Sequence, residues 1–206
     1  MYLPRHFEET RAEELHRLID AHPLGAWVVN GPAGLDANHV PFHLELNPTR
    51  LLAHVARANP VWQEVKDGDE TLVIFRGEEA YVSPNWYPSK HELHRQVPTW
   101  NYRVVHAHGR VSIRDDEKFV RSVVARLTRT HEGRTGGQRP WKMGDSSPQY
   151  IDEMLARIVG VEIAVTKLVG KWKLSQNREE RDRVNAAEEL RTRGAEALAR
   201  EMLKAD

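Results

Sequence analysis

The chain has 206 residues, and its 30 Lys plus Arg balance 30 Asp plus Glu, so bulk charge gives no preference for nucleic acid or an anionic membrane, although a local basic patch stays open. It contains no cysteine, which excludes disulfides, thiolate metal sites and thiol nucleophiles together. This length fits one large domain or one domain with a helical appendage, and the start Met1-Tyr2-Leu3-Pro4-Arg5-His6-Phe7 lacks the apolar run of a secretory signal or membrane span, so the expected location is the cytoplasm.

Thr10-Arg11-Ala12-Glu13 fits a capping box, in which a hydroxyl and a carboxylate each satisfy a free amide at a helix start. Ala12, Leu15, Ile19 and His22 share one stripe, which predicts a first helix ended by Pro23-Leu24-Gly25. Residues 26–30, 38–46 and 51–55 predict three meander strands, the first two joined by the Gly31-Pro32-Ala33-Gly34 turn. Pro41 has no N–H for a ladder and marks an edge, a bulge or an opening in the sheet. Asn59-Pro60-Val61-Trp62-Gln63 predicts a short helix, 71–76 the most apolar strand, and Gly77-Glu78 a turn into a further strand at Ala80 to Ser83.

The loop Pro84-Asn85-Trp86-Tyr87-Pro88-Ser89-Lys90-His91 gathers prolines, aromatics and a lysine, and reads as a lid or a subunit contact. Period two over the strand that follows, Trp100 to Ile113, puts Val105, Ala107, Val111 and Ile113 on a core face and Tyr102, Val104, His106 and His108 on the other. Trp100, Asn101 and Tyr102 sit where the loop enters it. Rings and an amide there suit either a flat heteroaromatic ligand, by stacking and edge hydrogen bonds, or a buried aromatic cluster.

Asp115 is placed to cap a helix from Asp116 to about Thr130, with Phe119, Val123, Val124 and Leu127 as its apolar stripe. Residues 131–147 predict an exposed connection, Pro148 a short helix to about Ala156, and 160–175 a long last strand. From Glu179 a charged helix is expected, with Glu179/Arg183, Glu189/Arg193 and Glu196/Arg200 at i,i+4 spacing and a thin stripe of Val184, Ala187, Leu190, Leu198 and Met202. The whole predicts a mainly β (α+β) architecture: a small antiparallel barrel with peripheral inserted helices over 1–178, and a helix over 179–206 packed on that barrel or on a partner subunit.

Eleven histidines raise the question of a metal. His91-Glu92-Leu93-His94 spaces its histidines three apart, whereas the zinc protease helix needs four with the glutamate between. His106 and His108, with His39 or His43 across the sheet, would suit a metal or haem site, or be ordinary hydrogen-bonded histidines; no metal is expected. A Gly-x-Ser-x-Gly elbow and the dinucleotide-binding glycine pattern are both absent. In extended chain, Lys171, Lys173, Ser175 and Asn177 point one way and Trp172, Leu174 and Gln176 the other; the first row is either a clamp for phosphate or carbonyl oxygens or a plain solvent face. Arg57, at a strand end after His54, either takes a phosphate bidentately or is simply solvated. Arg121, Arg126, Arg129, Arg134, Arg139 and Lys142 suit either phosphate contacts or a solvated helix and loop, and without a helix-turn-helix, zinc finger or basic helix DNA is a possible partner that no motif supports.

The arm Met1-Tyr2-x-Pro4-x-His6-Phe7, the strand Asn38-His39-Val40-Pro41-Phe42, the turn from His54 to Trp62, the loop Tyr81-Val82-Ser83-Pro84-x-Trp86-Tyr87, the central Val97-Pro98-Thr99-Trp100-Asn101-Tyr102-x-x-Val105-His106 and the tail Lys173-Leu174-Ser175-Gln176-Asn177-Arg178 together resemble the PaiB family, described as FMN-binding negative transcriptional regulators. The resemblance spans nearly the whole chain and implies an FMN-binding split barrel, with FMN as cofactor and a homodimer carrying flavin sites at the subunit interface. It places FMN near His39, His54, Arg57, Ser83 and Lys90, with Trp100, Asn101, Tyr102, Lys173, Ser175, Gln176 and Asn177 closing the site. Two alternatives remain open on that fold: an FMN-dependent oxidoreductase, of NAD(P)H:flavin or pyridoxamine-phosphate-oxidase type, and a haem-binding or haem-degrading split barrel.

Overall fold

A computed structural model describes residues 1–204, leaving aside the side chains of His91 and Leu93. The zinc-helix pattern at His91 and the last two residues of the expected C-terminal helix therefore lie outside the described residues. Eight strands form one antiparallel sheet: β1 (Glu8–Glu9), β2 (Leu24–Gly31), β3 (Gly34–Pro41), β4 (His43–Leu46), β5 (Thr49–Ala56), β6 (Glu70–Val82), β7 (Thr99–Arg114) and β8 (Ile158–Lys173). Their order is β3-β2-β6-β7-β8-β5-β4, with β1 added on β8. The helices are α1 (Ala12–Ala21), α2 (Val61–Glu64), α3 (Lys90–Leu93), α4 (Glu117–Arg134), α5 (Pro148–Leu155), α6 (Glu180–Thr192) and α7 (Glu196–Lys204). A mainly β fold with peripheral helices is what the alternating apolar pattern dictates.

Two compact units divide the chain, and β6, β7 and β8 contribute to both. One comprises Met1–Leu18, Arg76–Val105 and Val169–Asp206, the other Ile19–Phe75 and His106–Leu168. In the second unit the β2–β3 hairpin closes where Gly31 pairs with Gly34, as expected from the turn residues. Trp27 and Val29 face inward along β2, and the buried indole donates to the Thr71 hydroxyl at 2.7 Å, which donates onward to the Val28 carbonyl. That relay satisfies two polar groups that burial would otherwise penalise. α4 packs its Val123 and Leu127 against Leu52 of β5, with Phe119 alongside, while Val120 meets Ile151 and Leu155 of α5. In the first unit Leu15, Tyr87, Leu174, Leu190, Leu198 and Met202 are buried.

Local expectations changed in four places. Gly77-Glu78 makes no turn, because β6 runs unbroken from Glu70 to Val82; a Cβ on Gly77 would sit 3.1 Å from Leu18, so the glycine serves close approach rather than reversal. Pro41 splits the expected 38–46 strand into β3 and β4, and the Phe42 amide turns to the Pro23 carbonyl. The α4 cap is Asp116, whose carboxylate accepts the Phe119 amide at 2.8 Å, while Asp115 binds Arg57. The C-terminal helix is two helices, α6 and α7, separated at Gly194 with its φ of +86°.

Candidate functional site

β7 begins with residues that period two assigns to opposite faces. Asn101 and Arg103 share the inward parity of Val105, Ala107 and Val111, and both are buried. Trp100 and Tyr102 take the outward parity, with Trp100 55% exposed and its ring edge-on to Tyr81, centroids 6.2 Å apart. Two half-exposed aromatic rings in contact form an apolar platform that water does not favour.

Beside that platform the end of β8 brings in positive charge. Lys173 Nζ donates to the Trp100 carbonyl at 2.6 Å and to the Thr99 hydroxyl. Lys171 Nζ donates to the Tyr2 carbonyl at 3.0 Å and lies 5.7 Å from the Tyr2 ring centre and 5.5 Å from that of Tyr102. Arg178 donates to the Gln96 amide oxygen at 2.7 Å and lies 5.4 Å over the Tyr87 ring. Burial holds the Lys173 ammonium below its ordinary pKa, and the neighbouring Lys171 and Arg178 charges push it further down. Among the described residues, none of these three cations is paired with a carboxylate. The arrangement can therefore accept an anion next to a flat apolar surface.

Ser175 leaves the row predicted for Lys171, Lys173 and Asn177. Its φ of +64° breaks the strand alternation, and its buried hydroxyl accepts from the Asn101 amide at 2.9 Å. The same Asn101 nitrogen lies 3.4 Å from Met202 Sδ, so the amide anchors the β8 terminus and α7 from inside. Gln176 closes on its own turn, accepting the Leu174 amide at 2.7 Å and donating to the Trp172 carbonyl at 2.6 Å, and Asn177 is exposed. Ser83 and Lys90 belong to the same unit: Ser83 Oγ accepts the Asn85 amide at 3.2 Å, and Lys90 donates to the Asn85 side-chain oxygen.

His39, His54 and Arg57 belong to the second unit. His39 is exposed on β3 opposite Ala26. His54 sits opposite Gly160 on β5; its Nδ1 is buried without a partner, and burial lowers its pKa. Arg57 holds Asp115 bidentately at 2.9 and 2.5 Å, donates to the Ala156 and Ile158 carbonyls, and lies 5.7 Å over the Trp62 ring, which uses its donors on the protein. His106 and His108 are half-buried with ring centroids 6.4 Å apart, and burial above all lowers the His106 pKa. Among the described residues no cluster of three or more His, Asp or Glu is arranged to hold a metal ion.

Sequence reasoning missed Arg103. Its Nε donates to Glu78 at 3.0 Å and its Nη1 to Glu201 at 2.8 Å, and it lies 5.8 Å over the Trp172 ring. A guanidinium on the core parity shared with Val105, Ala107 and Val111 was the available signal, because a charge there must be paired.

The antiparallel sheet with peripheral helices is of the split-barrel type, and the aromatic and cationic face suits a planar anionic ligand. Residues 1–167 match the family described as "Putative FMN-binding domain". The chain is 31% identical over 92% of its length to "Protease synthase and sporulation protein PAI 2" of Bacillus subtilis, covering 89% of that protein. The chain belongs to this FMN-binding family, and FMN is its cofactor. Its fold is similar to that of the flavocytochrome Anf3 from Azotobacter vinelandii, with a TM-score of 0.59 at 14% identity over 83% of this chain and 72% of that one. It is likewise similar to an FAD and heme binding protein from Mycobacterium smegmatis, with a TM-score of 0.55 at 19% identity over 81% and 73% of the two chains. No helix among the described residues is long and apolar enough to cross a membrane.

Proposed function

We propose that FMN binds on the aromatic and cationic face of the first unit, in a cytoplasmic homodimer that acts as a flavin-dependent negative regulator. The observation that carries the site is the set of three cations without a carboxylate partner, Lys171, Lys173 and Arg178, beside the half-exposed Trp100 and Tyr81 rings. Lys171, Lys173 and Arg178 take the phosphate as charged donors, and Trp100 and Tyr102 face the ring system. Asn101, Ser175 and Gln176 fix the backbone beneath them. When bound, FMN supplies redox chemistry, while the chain supplies orientation and charge. The exposed Tyr81 and Trp100 surface is also the apolar area a second subunit would cover.

The regulatory part rests on the resemblance to the PaiB family. Most arginines of α4 are already neutralised: Arg121 pairs with Glu117 and Asp152, Arg126 with Glu45, and Arg134 with Asp20. Such arginines release few counterions on meeting DNA, which favours regulation through the flavin over a direct electrostatic grip on an operator.

The test is FMN titration of purified protein by flavin fluorescence quenching, with molar mass measured on the same sample. Saturable binding by a dimer, weakened about tenfold or more by Lys173→Met, supports the reading. Unchanged affinity in Lys173→Met, Lys171→Met and Trp100→Ala together would remove FMN from this face. Steady NAD(P)H oxidation by the FMN-loaded protein would favour an oxidoreductase over a regulator.

A further inference from the structure

Ser122, Ala125, Arg126, Arg129 and Thr130 fall at i, i+3, i+4, i+7 and i+8 along α4 and so lie on one stripe. With His43 of β4 they line a cleft of about 350 Å³, and no carboxylate is among its described lining residues. Arg126 Nη1 donates to Glu45 at 2.8 Å, and Glu45 is also held by Arg50, so this guanidinium is fixed in place by a carboxylate outside the cleft wall. Arg129 has no ion-pair or hydrogen-bond partner among the described residues. Like charges three residues apart on a helix repel, and here only one of the two has a counter-ion.

We infer that this cleft binds a small phosphate monoester, with the unpaired Arg129 as the cation on the dianion, a donor of Arg126 not used by Glu45 beside it, and Ser122 and Thr130 donating to its remaining oxygens. Guanidinium forks and hydroxyls are the donor set that phosphate oxygens require. A volume of about 350 Å³ leaves room for a short ester chain beside Ala125. The site uses residues of the second unit alone and shares none with the flavin face proposed above.

His43 gives the site a pH response. Burial, then Arg126, keeps its imidazole below the ordinary value, while Glu45 on its own strand and Asp20 on α1 pull the other way. A dianion in the cleft adds a negative charge that favours the imidazolium, so binding strengthens as pH falls toward the His43 range.

The test is calorimetric titration of the full chain at fixed ionic strength with inorganic phosphate, glycerol phosphate and sulfate. Glycerol phosphate is expected to bind saturably and at least as tightly as inorganic phosphate, about tenfold more weakly in Arg129→Ala, with FMN affinity unchanged. Sulfate stays dianionic throughout, and its affinity should rise as pH falls below about 6.5 in the natural chain but not in His43→Gln. Equal affinity in the natural chain, Arg129→Ala and Thr130→Val overturns the site. Binding of inorganic phosphate with exclusion of the ester overturns the ligand class. A parallel loss of FMN affinity in Arg129→Ala would make the cleft part of the flavin site and overturn its independence, whereas loss of FMN affinity in Lys173→Met alone leaves both proposals standing.

Discussion

The Ser89 hydroxyl donates to one oxygen of the Asp182 carboxylate at 2.5 Å, and the Ser89 amide donates to the other at 3.0 Å. Ser89 is fully buried and Asp182 is 1% exposed, so this carboxylate is withdrawn from water and held by the loop that leads into β7. Gln96 donates to Ser89 Oγ at 2.7 Å and accepts from Arg178, which joins the far end of the loop to the turn after β8. A loop that composition alone reads as a lid or a subunit contact is thus tied to α6, beyond the stretch that defines the family.

Removing the Asp182 carboxylate leaves a buried hydroxyl and a buried amide without an acceptor. Asp182→Ala should therefore destabilise the protein by about 2–3 kcal/mol, and Ser89→Ala, which deletes only one donor, by about 1 kcal/mol. Denaturant unfolding of both variants checks this. A change below about 0.5 kcal/mol in Asp182→Ala would mean that water replaces the carboxylate and that the loop is not anchored there.

Lys173 links charge to pH. Its ammonium is disfavoured in the fold by burial and by Lys171 and Arg178, so the folded chain releases this proton before the unfolded chain does. The resulting loss of stability is full at neutral pH and is relieved as pH rises from the folded value toward 10.5. Lys173→Met should abolish that alkaline gain. FMN phosphate at the site should raise the Lys173 pKa, and a lysine side-chain NMR titration with and without FMN reads the shift. An unchanged titration at saturating FMN would place the phosphate elsewhere.

Much of the sheet is legible in the sequence, because period two along β2, the first half of β6 and most of β7 follows directly from one buried and one less buried face, whereas β8 buries runs of three neighbours and loses the alternation. The parity of β7 is readable as far as Ala107 and Val111, yet it also places Asn101 and Arg103 inside, which composition discourages and which only Ser175, Glu78 and Glu201 explain. Ser175 leaves the row of Lys171 and Lys173 because one left-handed residue interrupts the alternation, and a serine gives no warning of it. The cation cluster combines neighbours on β8 with Arg178 beyond a turn, a proximity that strand spacing cannot supply.

His54 should make the fold acid-sensitive. Its pKa is lowered by burial, so the unfolded chain takes up a proton that the folded chain resists, and stability present above 6.5 is lost as pH falls through the folded value. His43 and His106 are shifted in the same direction and add to the slope. One such histidine contributes at most about 1.4 kcal/mol per pH unit. His54→Leu fills a similar volume without a titrating group, and its unfolding free energy should fall less steeply below about pH 6.5. A slope identical to that of the natural chain would show that His54 is already protonated in the fold or that water reaches Nδ1.

Two glycines separate close packing from chain freedom. A Cβ on Gly109, inside β7, would come 2.5 Å from the Ala164 carbonyl oxygen and 2.6 Å from Ile163 Cγ2. The first of these is backbone on the neighbouring strand and cannot rotate away, so Gly109→Ala should cost about 1–3 kcal/mol. Gly133, in the last turn of α4, has nothing within 4 Å of the same position. Alanine there narrows the unfolded ensemble and suits the helix, so Gly133→Ala should stabilise by about 0.5 kcal/mol. Paired thermal and denaturant unfolding decides the matter: opposite signs support the packing described for β7 against β8, and a neutral Gly109→Ala would require those strands to lie further apart.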